Sequence, residues 1–337
     1  MRWKDQAMLE AFLQTPLILS VTGLLPDVLV MAGILIIFGI AAEFITKGTE
    51  KIEVLLGQGM AGGVILGFMS ALPETIFVIV ASMSGYYAVA VATALGGNVI
   101  LFTLGIGLIG VAYFSKWKRN IALKEDYRVD IVFLMVSTLA LLLLLVYGRL
   151  DLLSGSALFM IYIAYLAYRF LQAGSRIALH MKIPASRKML LEGFLFMLVG
   201  VAMIAILSGY FINDIISVAG MLAIPAILLA LIITPIAADL EELISAYRLS
   251  RGTPGGGSTA IISFIGGKLE NNTVLVGIVG ILAAAPVLIG STASLFMAVI
   301  IINAAAIAVL SRGKFTRIQG ILFMALYFVV IIGVFVL

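Results

Sequence analysis

Two glutamates, Glu74 and Glu242, stand 168 residues apart in nearly the same local setting. Each follows a proline inside an apolar stretch, and each precedes a Gly-Gly pair. The first setting reads Ser70-Ala71-Leu72-Pro73-Glu74 and then Gly96-Gly97-Asn98. The second reads Pro235-Ile236-Ala237-Ala238-Asp239-Leu240-Glu241-Glu242 and then Gly266-Gly267-Lys268-Leu269-Glu270-Asn271, with 170 residues from Gly96 to Gly266. These side chains suit a hard cation. Ca²⁺ takes about six to eight oxygens at roughly 2.3–2.6 Å. Glu74, Glu242 and Asp239 are the expected metal ligands, with Ser70, Asn98, Asn271 and carbonyls released by Pro73 and Pro235 completing the cation-binding set. Asp239 and Glu242 are i,i+3, and Ser70 and Glu74 are i,i+4, so each pair shares a helix face. Glu241 and Glu270 fall off those faces and are expected to line a watery path or to pair with Lys268, which makes the three modulators of the site. Soft-metal chemistry is not expected, because the chain has no Cys and its one histidine, His180, lies in a basic loop.

The elements that carry these residues are read from composition. Hydrophobic residues make up 63% of 337, and charged residues 11%, well below the roughly one quarter of soluble domains. Apolar stretches near 20 residues recur, long enough to cross a hydrocarbon layer of about 30 Å. Ten spans are predicted, near 27–46, 59–83, 87–113, 130–148, 152–171, 189–209, 217–248, 258–283, 286–310 and 318–337, with span seven open to interruption at Pro225 and Pro235. Residues 1–25 are expected to form an interfacial lead-in, not a cleaved signal peptide. A carboxylate held in hydrocarbon is so costly that it marks function by default. Five spans per half invert the second half against the first. The fold class is therefore an all-α polytopic membrane protein built of two inverted five-helix repeats, 26–171 and 189–337, joined by a basic linker at 172–188. Of the 21 Lys and Arg, seventeen fall on the side holding the linker and three on the other, while Lys268 lies within a span. By the positive-inside rule the basic loops are cytoplasmic and both termini outside, in a cell membrane. The expected partners are the lipid bilayer and inorganic cations. No nucleic acid is expected, since the basic residues sit in loops between spans, and one chain can supply both halves of the site as a monomer.

These motifs resemble the calcium/cation antiporter superfamily, including the prokaryotic sodium/calcium exchangers. Ser70-Ala71-Leu72-Pro73-Glu74 is similar to the sodium-coupled G-T-S-x-P-E, and the Pro235 to Glu242 stretch to the proton-coupled P-I-x-G-N-A-x-E. Gly96-Gly97-Asn98 through Gly107 and Gly266-Gly267-Lys268 through Gly277 match a second helix reading roughly G-S-N-x-x-N. The run from Arg317 to Tyr327 is similar to the last span of the prokaryotic exchangers. The resemblance implies a secondary antiporter moving Ca²⁺ or a similar divalent against Na⁺, with H⁺ coupling as the alternative, alternating access at midplane and no cofactor beyond the transported ions. The chain departs from the family in telling places. The small hydroxyl ligands beside the glutamates are Ala71 and Ala238, and the serines of G-S-N are Gly97 and Gly267. The second-helix carboxamide is Leu101 in one half and Asn271 in the other, and Lys268 stands where the family has Asn. That ammonium is expected either to substitute for a monovalent ion or to lock two spans together. A channel is the competing transport class, but no filter-like loop or acidic ring is present. An intramembrane enzyme using Ser70 with Lys268 lacks a His or Cys partner in any span.

Overall fold

The computed structural model describes residues 16–56, 71–123, 127–177 and 187–336. Ser70 lies outside the described residues, as do the side chain of Glu241 and the loop histidine His180. The chain opens with α1 (Pro16–Leu56), then α2 (Leu72–Met83). Next comes a long rod in three pieces: α3 (Tyr87–Ile100), a π-turn over Leu101–Gly105, and α4 (Ile106–Trp117). Strand β1 (Ile121–Ala122), α5 (Tyr127–Tyr147), β2 (Arg149–Leu150) and α6 (Leu152–Ile177) close the first half. The second half repeats this order. It runs α7 (Arg187–Met221), α8 (Ala226–Gly252), α9 (Gly256–Glu270), a second π-turn over Asn271–Leu275, and α10 (Val276–Leu282). Then follow β3 (Val287–Leu288), α11 (Ala293–Leu310), β4 (Lys314–Phe315) and α12 (Arg317–Val336). Among the described residues, seven helices are long and apolar enough to cross a membrane.

Packing interleaves the two halves. Helices α1 and α7 run antiparallel along their length. Lys51 reaches Glu192 at one end (2.6 Å), and Ser217 donates to Asp27 at the other. Between these ends Gly200 lies on the Ala41 carbonyl and Gly48 on the Gly193 carbonyl, so small residues let the backbones touch. Helix α12 crosses α4 where Gly107 meets the Gly320 carbonyl, and α6 crosses α10 where Gly155 meets the Gly277 carbonyl. The two-stranded ladders are likewise exchanged: Ile121 pairs with Phe315, and Leu150 with Val287, both antiparallel. Gly148 (φ +79°) and Gly313 (φ +72°) make the left-handed turns that lead into β2 and β4, a conformation costly for other residues. Tyr113 donates to the Pro254 carbonyl (2.8 Å) and Trp117 to the Ser250 carbonyl (3.1 Å), so the α4–α5 and α8–α9 connections share one face of the bundle.

Three boundaries differ from the sequence expectation. The first helix begins at Pro16, ahead of the expected 27, and runs through Pro26. The sixth span continues to Met221, past the expected stop near 209. Its polar stretch does not end it, because Ser217 is bonded to Asp27 within the bundle. The break falls instead at Ala223 (φ +53°) and Pro225, which caps α8 in an extended conformation. Pro235 does not split α8. It lies inside a continuous helix, where its ring replaces the N–H that would have met the Leu231 carbonyl.

Candidate cation site

Glu74 lies in the first turn of α2, with Pro73 at the second helical position and Ala71 as the N-cap. A first turn offers unpaired N–H groups and the positive end of the helix dipole, a setting that favours a carboxylate. The side chain is buried, and Oε2 finds no hydrogen-bond partner among the described residues. The charges that act on it are those of Asp239, Lys268 and Glu242, all from the other half of the chain. A cavity beside it is lined by Pro73, Phe77, Thr93 and Thr234, and by the rings of Phe38 and Phe211. Phe38, Phe77 and Phe211 stack edge to face, with centroids 5.2–6.5 Å apart.

The facing wall is built by α8 and α9. Asp239 follows Pro235 by one helical turn and is 1% exposed. Its Oδ1 accepts from Lys268 Nζ at 3.1 Å, while Oδ2 is buried without a partner among the described residues. Lys268 is also 1% exposed. With its amide oriented so that donor meets acceptor, Asn271 accepts from Lys268 Nζ at 3.0 Å and donates to the Gly267 carbonyl at 3.1 Å. Glu242, one turn past Asp239, is half-buried and faces Gly267, where a Cβ would stand 3.7 Å from its Oε1.

Helix α3 enters this cluster through its glycines. A Cβ on Gly97 would lie 2.6 Å from both Lys268 Nζ and the Asn271 amide, and 2.9 Å from Asp239 Oδ2. A Cβ on Gly96 would lie 2.7 Å from Pro235 Cγ and 3.1 Å from the Leu231 carbonyl, the one released by Pro235. Gly266, in the second pair, makes no such approach among the described residues; only the Tyr165 hydroxyl comes within 3.8 Å. Asn98 is fully buried and donates to Asn272 Oδ1, and Asn272 in turn donates to Ser137 Oγ at 3.1 Å.

Of the residues singled out from sequence, Glu74, Glu242, Asp239, Asn271 and Lys268 are drawn together, and Asn98 lies one residue beyond the Gly97 contact. Glu270 turns away from them. Tyr162 of α6 donates to its Oε2 at 3.1 Å, and Lys268 is held by Asp239 instead. Behind Glu270 is a second buried polar layer, in which Tyr165 donates to Asp130 Oδ1 at 3.0 Å and Arg169 forms an ion pair with Asp130. Sequence reasoning missed Asn272, Ser137 and this layer. The spacing of Tyr162, Tyr165 and Arg169 (i, i+3, i+7) on one face of a span was the available signal for the layer. No three Asp, Glu, His or Cys side chains among the described residues close into a metal cage. Asp239 is instead paired with an ammonium.

A helical bundle with this interior charge and this many apolar rods defines a polytopic membrane transport protein. A family profile described as "Sodium/calcium exchanger protein" matches twice, over residues 27–171 and 192–336. The chain belongs to the sodium/calcium exchanger protein family, within the calcium/cation antiporter superfamily. Its fold is that of solved exchangers. It is similar to the H⁺/Ca²⁺ exchanger CAX (TM-score 0.75, 18% identity, 99% of this chain and 92% of that one). YfkE matches with TM-score 0.73 at 18% identity, over 95% of this chain and 97% of that one. The sodium-calcium exchanger NCX_Mj matches with TM-score 0.62 at 17% identity, over 92% and 98%. No curated protein matches the chain at a significant level.

Proposed function

We propose that this protein is a secondary antiporter that exchanges Ca²⁺, or a similar divalent cation, for Na⁺ by alternating access. The observation that carries the reading is the meeting of the two halves on one polar cluster: Gly97 of α3 seats against Asp239, Lys268 and Asn271, half-buried Glu242 lies against Gly267, and the same charges act on buried Glu74. Burial of several carboxylates close together in apolar helices is otherwise without a stabilising purpose, since each charge must be desolvated. Glu74 Oε2 and Asp239 Oδ2, the Glu242 carboxylate, the Asn98 and Asn271 amides and the Leu231 carbonyl are the hard ligands a divalent cation takes, with Ser70 in the same proposed shell and Glu241 a modulator beside it. The ten-span, inverted-repeat architecture is supported by the antiparallel α1–α7 pair, the two π-turns 170 residues apart, the exchanged β-ladders and the doubled family match. In this reading 26–171 and 189–337 are the repeats, 172–188 a cytoplasmic linker and 1–25 a lead-in, with both termini outside the cell membrane.

Proton coupling is the second reading. Two observations favour it: Ala71 and Ala238 stand where sodium-coupled relatives are expected to carry hydroxyls, and the similar CAX structure is that of an H⁺/Ca²⁺ exchanger. Ca²⁺ uptake into proteoliposomes, driven separately by a Na⁺ gradient and by a pH gradient, decides between them. Uptake under the Na⁺ gradient alone supports the first, and uptake under the pH gradient alone replaces it with the second. Uptake that runs without any counter-ion gradient points to a channel and removes both.

A further inference from the structure

We infer that the Lys268 ammonium is a built-in cation that permanently fills one position of the site, so that exchange moves no net charge. The inference rests on the antiporter reading above. Nζ is held as a small cation would be, between an Asp239 carboxylate oxygen at 3.1 Å and the Asn271 amide oxygen at 3.0 Å. A compact ammonium with three donors is the side chain best able to imitate a monovalent ion among oxygens. Space for it comes from across the repeat boundary, because any side chain at Gly97 would overlap Nζ.

Comparison of the two halves separates this role from a plain salt bridge. The 168-residue offset puts Ala71 opposite Asp239, and the 170-residue offset puts Asn98 opposite Lys268. The acid and the ammonium thus occur together in one half and are both replaced by neutral residues in the other. What marks the bridge is where its spare oxygen lies: a Cβ on Gly97 of the first half would stand 2.9 Å from Asp239 Oδ2, at the boundary between the halves. Asp239 spends Oδ1 on the ammonium and leaves Oδ2 buried and unpartnered among the described residues, as Glu74 leaves Oε2. Those two oxygens are where the transported ion would bind. With Glu74, Asp239 and Glu242 ionised, Lys268 brings the cluster to two negative charges, the match for one divalent or two monovalent cations. Glu270 is held apart on the Tyr162 hydroxyl.

The test is Ca²⁺ flux in proteoliposomes whose membrane potential is clamped with K⁺ and valinomycin, under whichever coupling gradient drives uptake. Wild-type flux should be indifferent to the potential, with two monovalent ions moved per Ca²⁺. Lys268→Asn should become potential-sensitive and move one more monovalent ion per Ca²⁺. Wild-type flux that follows the potential overturns the inference without any variant, so a folding failure of Lys268→Asn does not shield it. A folded Lys268→Asn with the wild-type ratio and only a lower melting temperature also overturns it, leaving Lys268 a structural partner. Absence of Ca²⁺ flux in the wild type under either gradient would sink the antiporter reading and this inference with it. Flux with the wrong charge movement sinks the inference alone.

Discussion

Substituting Gly97 by Ala sets a local gain against a local clash. In an ordinary helix the change would stabilise by about 1 kcal/mol, because Ala loses less backbone entropy than Gly. Here the new Cβ would stand 2.6 Å from Lys268 Nζ and the Asn271 amide and 2.9 Å from Asp239 Oδ2, all well inside van der Waals contact. Two routes relieve the overlap. Helix α3 can shift outward, at the roughly 1–3 kcal/mol typical of an overfilled core. Alternatively Lys268 can swing away, and stripping one partner from a buried ion pair costs about 3–5 kcal/mol. The first route is cheaper, so Gly97→Ala should be destabilised by about 0–2 kcal/mol net of the helix gain, with α3 displaced from the cluster. Transport should suffer far more than stability, because the displacement acts on the ligands themselves. Gly209→Ala is the control: nothing described lies within 4 Å of its Cβ, so it should gain about 0.5–1 kcal/mol and transport normally. Thermal unfolding in detergent and Ca²⁺ uptake in proteoliposomes read the two effects separately. A Gly97→Ala protein that gains stability like Gly209→Ala and transports at the wild-type rate would refute the seating of α3 against the Lys268–Asp239 pair.

Four further outcomes follow from the same arrangement. Glu74→Gln and Glu242→Gln should each abolish divalent transport in a protein that still inserts and folds; substantial Ca²⁺ exchange by either would remove the core of the site. Cysteines introduced at Lys118 and Lys182 should label from the cytoplasm and those near Asp151 and the C-terminus from outside, and the reverse pattern in intact cells would overturn the orientation. Asp130→Asn strips the buried Arg169 guanidinium of its carboxylate and should cost about 3–5 kcal/mol, part of which Arg169→Gln restores in the double variant if the pair is the cause. The Asp151 carboxylate, which caps α6, is held below the ordinary Asp range chiefly by the Ser154 backbone N–H. Its contribution is therefore complete above the unfolded Asp value and lost as pH falls through the folded one. Amide protection factors in the first turn of α6 should drop across that acid range and stay flat in Asp151→Ala.

The polar residues of the spans were legible because hydrocarbon makes them rare. In a chain with 11% charged residues, Glu74, Asp239, Glu242 and Lys268 stand out against their surroundings, and the repeat of proline, acid and Gly-Gly at a near-constant offset marks them as a set. Family membership was readable from the same residues. What they bind to each other was not. Sequence offered Glu241 and Glu270 as partners for Lys268 and gave Asp239 to the cation, since nothing in the chain fixes which acid of the neighbouring span faces the ammonium. The choice was made by the crossing of α8 and α9 and by the hydroxyl of Tyr162, a residue more than a hundred positions away. Helix ends were hidden for a related reason. The polar stretch near Asp214 reads as a loop, yet Ser217 is satisfied by Asp27 on the antiparallel neighbour, and the helix runs on. The π-turns carry little local signal either: Leu101–Gly105 and Asn271–Leu275 agree in residue type at one position, the central Thr103 and Thr273, each donating to the carbonyl four residues back, and the bulge shows itself by recurring at the same offset.

That recurrence explains how two halves of one backbone come to do different work. A π-turn adds a residue to the helix and turns the side chains around it toward a shared interior, which is why such bulges gather at functional sites. Both halves have the bulge, so both present the equivalent positions inward. In the first half those positions hold Asn98, Ile100, Leu101 and Phe102, of which only Asn98 can ligate. In the second they hold Lys268, Glu270, Asn271 and Asn272, all buried, all polar. The two sets meet directly where Asn98 donates to Asn272, and Gly97 supplies the room that the bulkier set requires. A symmetric frame thus tolerates an asymmetric charge set because the crowded half is matched by glycine and apolar residues in the spare one. If that complementarity is the rule, adding polarity to the first half should be harmful even where the residue would be a ligand: Leu101→Asn, at the counterpart of Asn271, should lower stability by burying an amide without a partner, at about 1–3 kcal/mol, and should not raise cation affinity. Tighter Ca²⁺ binding by Leu101→Asn at unchanged melting temperature would show instead that the first half has kept a vacant ligand position, and that the asymmetry is not built into the packing.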